Sequence, residues 1–260
     1  DRFRFDNKDG SGSFICSQCG AGSGFDLLVK FTGQPFRDVA QRVDQIVGNV
    51  EAEPEPVKLD DEARVAMLNR VWKASKLITP TDLAGRYLAG RGIDLAQYPR
   101  DLRYHPDCRA PNGNCYPALL ALVRDGDGEA VTIHRTFLSE RGKADMTEPR
   151  ALMPGQLREG SCIRLSPVAE HIGIAEGIET AFRASQRFGL PVWSTINATL
   201  MAKWVVPVGV ERITIFGDND AEFGGAAAAY ALAHRLAVKG FEVDVQIPDE
   251  RGRDWADVAA

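Results

Sequence analysis

The sequence predicts an α/β fold in which a parallel β-sheet flanked by helices fills the C-terminal third, preceded by a smaller helical and α+β region. Three observations carry this reading. From residue 170 onward, short apolar runs alternate with stretches of helical periodicity, as strand–helix–strand units require. The runs are apolar at consecutive positions, the pattern of strands covered on both faces. Two of them end in acid, Ile172-Gly-Ile-Ala-Glu176 and Ile213-Thr-Ile-Phe-Gly-Asp218-Asn-Asp220, and open parallel sheets bind ligands beyond the C-terminal ends of their strands.

Taken in order, residues 1–24 are rich in Gly, Ser and Asp and contain Cys16-Ser-Gln-Cys19-Gly20. They suit a small hairpin module with little core. Phe36, Val39, Ala40, Val43, Ile46 and Val47 fall at helical spacing, with Gly48 as the stop. Residues 49–58 are acidic and hold Pro54 and Pro56, which reads as an extended linker. A helix is expected from Asp60, with Ala63, Met67, Val71 and Ser75 on one face, and a shorter one after Pro80, capped by Thr81 or Asp82. Residues 119–123 and 131–138 read as strands joined by the turn Asp125-Gly-Asp-Gly128. Beyond residue 170 the expected order is strand 172–175, helix 178–188, strand 192–196, helix 199–205, strand 212–216, helix 224–239 and strand 241–247. These expectations divide the chain into regions 1–24, 25–59, 60–168 and 169–260.

Composition excludes some functions. No apolar run among the 260 residues approaches the roughly 18 needed to span a membrane. The net charge of −5 rules out a protein that is basic overall, though a local basic strip can still bind phosphates. The charged first residues are no secretory signal. With five cysteines, an odd number, unevenly placed, reduced thiols and a cytoplasmic location are expected.

The strand-end acids are the centre of the chemistry. If both strands share a sheet, Glu176, Asp218 and Asp220 meet at one edge. Clustered carboxylates repel unless a cation neutralises them. Magnesium suits such a site, because it takes oxygen ligands and leaves positions for substrate phosphates. Asp254 and Asp257, in Gly252-Arg-Asp-Trp-Ala-Asp257, stand after the fourth strand and complete the rim, with Asp254 as a further metal ligand. Cys16-x-x-Cys19 is a knuckle that supplies half of a tetrahedral zinc site. Phe3, Phe5 and Phe14 offer stacking faces beside it, and Arg2, Arg4 and Lys8 offer phosphate contacts. In the strand Val131-Thr-Ile-His-Arg135-Thr-Phe137, Arg135 falls on the more apolar face. With Lys143 and Arg150 it is a candidate nucleotide-phosphate contact. The alternative is an arginine pairing with a local acid. Gly224-Gly225 opens the sixth expected helix. Its N–H groups are either a phosphate site or a means of close helix–sheet packing.

Ile174-Ala-Glu176-Gly177-Ile-Glu-Thr180-Ala181 resembles the first motif of Toprim domains, and Phe216-Gly-Asp218-Asn-Asp220 resembles their Asp-x-Asp motif. Gly252-Arg-Asp254-Trp-Ala-Asp257 is similar to the closing segment of primase-type members, with Arg253 for Lys and Ala256 for Asn. The stretch from Asp1 to Gly22 looks like the second half of the zinc ribbon of phage and mobile-element primase-helicases, with the other two ligands lying before Asp1. The resemblance implies a Toprim DNA primase that makes short RNA primers on single-stranded DNA from nucleoside triphosphates. Glu176, Asp218 and Asp220 would be its catalytic, magnesium- or manganese-binding residues, and zinc would bind in the intact protein. No G-x-x-x-x-G-K-[ST] sequence occurs, so a helicase domain or subunit would lie outside this chain. Two other readings stay open: a Toprim metal-dependent nuclease, and a non-catalytic nucleic-acid-binding module.

Overall fold

A computed structural model of the chain describes residues 3–5, 12–18, 20–47 and 60–258. Arg2, Lys8, Cys19, Gly48 and the expected linker 49–58 lie outside the described residues. The chain divides into two compact units, residues 1–58 and 59–260.

In the first unit, β1 (Phe3–Phe5), β2 (Phe14–Cys16) and β3 (Gly20–Gly22) form an antiparallel sheet in that order. Phe14 is buried and stacks on Phe3 with ring centroids 5.8 Å apart. Phe14 is therefore the module's core and not a stacking face, whereas Phe3 and Phe5 are exposed. Helix α1 (Gly24–Thr32) was not expected, although its start is written in the sequence. Ser23 and Asp26 form a reciprocal capping box, with the Ser23 N–H donating to the Asp26 carboxylate at 2.8 Å. Helix α2 (Phe36–Val47) covers the stretch of helical spacing.

The second unit begins with α3 (Asp61–Ala74), whose N-cap Asp60 accepts the Ala63 N–H at 2.6 Å. A short strand β4 (Lys76–Leu77) leads to α4 (Leu83–Gly90), capped by Asp82 through the Gly85 N–H at 2.9 Å. Next come β5 (Leu102–Arg109), β6 (Cys115–Arg124), β7 (Ala130–Ser139), β8 (Gly142–Lys143) and β9 (Arg150–Leu152). They join β4 in an antiparallel sheet of order β4-β5-β6-β7-β8, with β9 also on β7. Strand β5 was not expected. Its run Leu-Arg-Tyr-His-Pro-Asp-Cys-Arg breaks any alternation, and the ladder itself shifts register between His105 and Cys108, around Pro106.

The remainder is β10 (His171–Ala175), α5 (Ile178–Phe188), β11 (Val192–Ser194), α6 (Ala198–Ala202), β12 (Arg212–Phe216), α7 (Gly224–Val238) and β13 (Glu242–Gln246). The four strands are parallel, in the order β11-β10-β12-β13. Both faces of this sheet are covered. Ile172, Ile174, Ile213 and Ile215 pack with Trp193, Trp204 and α7 on one face. Ala175 and Phe216 pack with α5, Trp255 and the antiparallel sheet on the other. A fully buried side chain of this size contributes roughly 1.5–3 kcal/mol. Gly173 is required on the α5 side, since a Cβ there would stand 2.7 Å from both Phe216 and Val192.

Strand β11 stops two residues short of its expected end. Thr195 and Ile196 fold over the end of β10 and donate their N–H groups to the carbonyls of Ala175 and Glu176, at 2.8 and 2.9 Å. Ile196 pays for the turn with φ of 73°, a left-handed conformation that β-branched residues rarely adopt.

Candidate active site

The parallel register fixes the site. Ala175 pairs with Phe216, so Glu176 and Gly217 leave the sheet side by side, with Asp218 next. The chain after β13 then returns to this edge. Asn219 and Arg253 form an isolated bridge, with the Gly252 N–H donating to the Asn219 carbonyl at 2.6 Å and the Asn219 N–H to the Arg253 carbonyl at 3.0 Å. Trp255 anchors the return, with its ring edge-on to Phe188 and Phe216. Asp254 is thereby placed beside Asp218.

The acids at this edge stand in different states. Burial raises the Asp218 carboxyl to about 7, and the charges of Asp254, Glu176 and Asp220 push it the same way. Its buried Oδ1 has no hydrogen-bond partner among the described residues. Burial also raises Glu176, with Arg150 opposing and Asp220 and Asp254 reinforcing. Asp220 goes the other way. Its Oδ2 accepts the Gly225 N–H at 2.6 Å, and its Oδ1 accepts those of Gly224 and Glu222, both at 3.0 Å. These bonds hold its carboxyl below the ordinary value. Asp220 therefore caps α7, and the Gly224 and Gly225 N–H groups serve it instead of standing open to a phosphate. Gly225 is needed there because a Cβ would stand 2.8 Å from the Asp218 carbonyl oxygen. Asp254 Oδ1 accepts the N–H groups of Ala256 and Asp257 at 2.6 and 3.2 Å.

Among the described residues, no three His, Cys, Asp or Glu side chains are gathered tightly enough to close a metal shell by themselves. The acids share an edge and feel one another's charge, but two of them lean on backbone donors. A hard cation still fits this donor set. An orphaned, buried carboxylate oxygen whose neighbours are also acids is stabilised by positive charge and oxygen coordination.

Cations face the acids from the antiparallel sheet. Lys143 and Arg150 both reach the carboxylate of Glu179, with Lys143 Nζ at 3.7 Å and Arg150 Nη2 at 3.5 Å. The sequence expectation for both was a contact with nucleotide phosphate, and here their partner is Glu179. Arg135 was expected with them and stands apart. It is 9% exposed, its Nη1 and Nη2 donate to the carbonyls of Arg109 (2.6 Å) and Leu152 (3.2 Å), and its guanidinium lies over Phe137. A guanidinium spent on interior carbonyls does not contact a solvent-borne phosphate, so Arg135 is corrected to a strut of the antiparallel sheet.

Three residues of the site escaped the sequence reading as functional groups. Glu179 is 5% exposed and accepts the Tyr87 hydroxyl on the same oxygen that faces the cations. Burial alone would raise its carboxyl, but Arg150, Tyr87 and Lys143 reverse this and bring it to about 2. His134, also buried, lines a small cavity with Arg150, Glu176, Gly177 and Ser194. Burial and then Arg150 lower its imidazole to about 4. The only signal for Glu179 was a charged residue on the buried face of α5. Tyr87 and His134 carried none.

Three family models match the chain. Residues 171–260 match the Toprim domain, residues 1–25 the zinc-binding domain of primase-helicase, and residues 62–165 a domain of unknown function. Similar solved structures include the zinc-binding and RNA polymerase domains of the Aquifex aeolicus primase, at 14% identity over 98% of this chain and 75% of that one, with a TM-score of 0.49. The primase fragment of the bacteriophage T7 primase-helicase aligns at 13% identity over 95% of this chain and 84% of its own, TM-score 0.43. A DNA primase domain from Pseudomonas aeruginosa aligns at 14% over 75% and 74%, TM-score 0.47.

Proposed function

We propose that this chain, which carries a Toprim domain and a segment of the primase-helicase zinc-binding type, is a DNA primase that joins nucleoside triphosphates into short RNA on single-stranded DNA. The observation that supports this most is the uncompensated acidic edge of the Toprim sheet, where Asp218 keeps a buried, unpartnered oxygen beside Glu176 and Asp254. Lys143 and Arg150 stand across from it.

Asp218, Asp254 and Glu176 would hold a magnesium or manganese ion, with Asp220 joining through lone pairs its backbone bonds leave over. When bound, such an ion supplies neutralisation of the triphosphate and acidification of the attacking hydroxyl. The chain's own groups do the rest. Lys143 and Arg150 bind the outer phosphates and orient the α-phosphorus. The primer 3′ oxygen bonds to that phosphorus as the bond to pyrophosphate breaks, and Glu176 takes the hydroxyl proton on a carboxylate oxygen that the ion leaves free. His134 stays neutral and lends no second positive charge to the cavity beside Glu176. In this reading residues 169–260 carry the acids, 60–168 the facing cations, and 25–59 joins them to the DNA-sensing segment 1–24. Cys16, in β2, and Cys19 would give two of the four ligands of a zinc ion. The template, the nucleoside triphosphates and a helicase domain or subunit are the proposed partners, in the cytoplasm. No helix among the described residues is long and apolar enough to cross a membrane.

The test is synthesis. Protein incubated with nucleoside triphosphates, single-stranded DNA and Mg²⁺ or Mn²⁺ should yield short RNA, and Asp218→Ala should lower the yield about 100-fold or more while the protein still folds. Degradation of the template without RNA product, or full synthesis by Asp218→Ala, would overturn the reading.

A further inference from the structure

The buried carboxylate of Glu179 is not explained by the acidic edge. It sits in the first turn of α5, three residues past Glu176, and is 5% exposed. Its three partners come from three other elements: Tyr87 from α4, Lys143 from β8 and Arg150 from β9. Taking a carboxylate and two cations out of water costs several kcal/mol per ion after relaxation, so such a cluster is weak evidence of stability and better evidence of placement. Neither cation is buried with it. The Lys143 and Arg150 side chains keep 34% and 47% of their surface exposed. Glu179 engages one nitrogen of each, and a guanidinium has five N–H donors and an ammonium three. Both heads therefore keep donors that Glu179 does not use.

The same two cations also feel other acids. Arg150 acts on Glu176 and Asp218, and Asp254 acts on Lys143. Released from Glu179, each would be drawn toward these acids by their charge. It would then occupy an oxygen that a divalent ion needs.

We propose that Glu179, locked by the Tyr87 hydroxyl, is a positioning residue that tethers Arg150 and Lys143. It keeps both aimed at the triphosphate of the incoming nucleotide and off Glu176, Asp218 and Asp254. The phosphate part rests on the nucleotidyl-transfer reading above, whereas the protection of the acids does not.

The experiment therefore reads metal binding first, on the full chain, by titration calorimetry with Mn²⁺ alone. Glu179→Gln should raise the Mn²⁺ Kd about tenfold. Tyr87→Phe, which keeps every charge, should raise it two- to threefold and carries the test if Glu179→Gln does not fold. A loss of negative field alone would also weaken binding, so the deciding measurement is a double-mutant cycle. Arg150→Gln should tighten Mn²⁺ binding at least threefold more in the Glu179→Gln background than in the unsubstituted chain. Equal effects in both backgrounds, or an unchanged Kd in Tyr87→Phe, would overturn the tether. In the synthesis assay at saturating Mn²⁺, Glu179→Gln should raise the KM for nucleoside triphosphate about tenfold and leave kcat within threefold. A lowered melting temperature with unchanged KM and Kd would mark a structural role only. If no RNA is made but the cycle shows coupling, the tether holds and the primase reading fails.

Discussion

The two sheets of the larger unit treat buried charge in opposite ways. In the antiparallel sheet, Asp125 is 2% exposed and meets Arg158 Nη1 at 3.1 Å. Arg124 grips Asp101 with two nitrogens, at 2.6 and 2.9 Å, and Arg135 gives two of its nitrogens to carbonyls. At the C-terminal edge of the parallel sheet, Asp218 is left with an unpartnered oxygen and acidic neighbours. The buried Asp125 and the half-buried Asp101 beside the antiparallel sheet are paired with arginines. The parallel edge carries a repulsion that folding alone does not repay, and its resolution requires something positive from outside.

This contrast can be broken at either sheet. The largest effect is expected from emptying the antiparallel core. Phe137 is fully buried beside Tyr116, and Phe137→Ala should cost about 3–5 kcal/mol in denaturant melts, through lost transfer energy and the cavity left behind. A loss under about 1 kcal/mol would mean that this sheet is not the rigid partner described.

Asp218→Asn should have the opposite sign. Removing a charge that burial, and then its acidic neighbours, disfavour should stabilise the metal-free protein by roughly 1–3 kcal/mol while abolishing synthesis. The pH dependence follows from a carboxyl raised from 3.8 to about 7. The charged form is the disfavoured one in the fold, so the penalty is absent below about pH 4, grows with pH, and is complete above about pH 7. Melts of the two chains should therefore coincide in acid and separate toward neutral pH. Saturating Mn²⁺ should close the gap. Melts that stay together at neutral pH, or a lower melting temperature for Asp218→Asn there, would show that Asp218 is already compensated.

Loss of the Asp101–Arg124 pair is expected to matter less. Asp101→Asn keeps the shape and removes the charge from a two-pronged, part-buried bond, for a cost of about 1–2 kcal/mol. The smallest effect belongs to Arg212–Glu242, at 2.8 Å on the surface with both side chains more than half exposed. Arg212→Ala should change stability by under about 0.5 kcal/mol, less still in high salt.

How much of this was legible in the chain varies with the range of the interaction. The caps Asp60 and Asp82 act on donors three residues away, and both helices were expected at those starts. The parallel strands declared themselves by unbroken apolar runs, and Glu176 and Asp218 by standing where those runs end. Strand β5 was hidden because its pairing with β6 tolerates a bulge around Pro106. Tyr87 and Glu179 are 92 residues apart, and nothing local to either foretells their bond.

The sequence by itself determined that acids would stand at the ends of β10 and β12, because strand period and strand end are local properties of the chain. Only the tertiary structure decided what each acid would do. Asp220 was drawn to the α7 backbone, Asp254 was brought beside Asp218 by the bridge at Asn219 and Arg253, Glu179 was buried against two cations and a hydroxyl from three elements, and Arg135 was taken into the interior. The reason is physical: a side chain's charge state and reach depend on which distant groups share its desolvated neighbourhood, and that is fixed by packing.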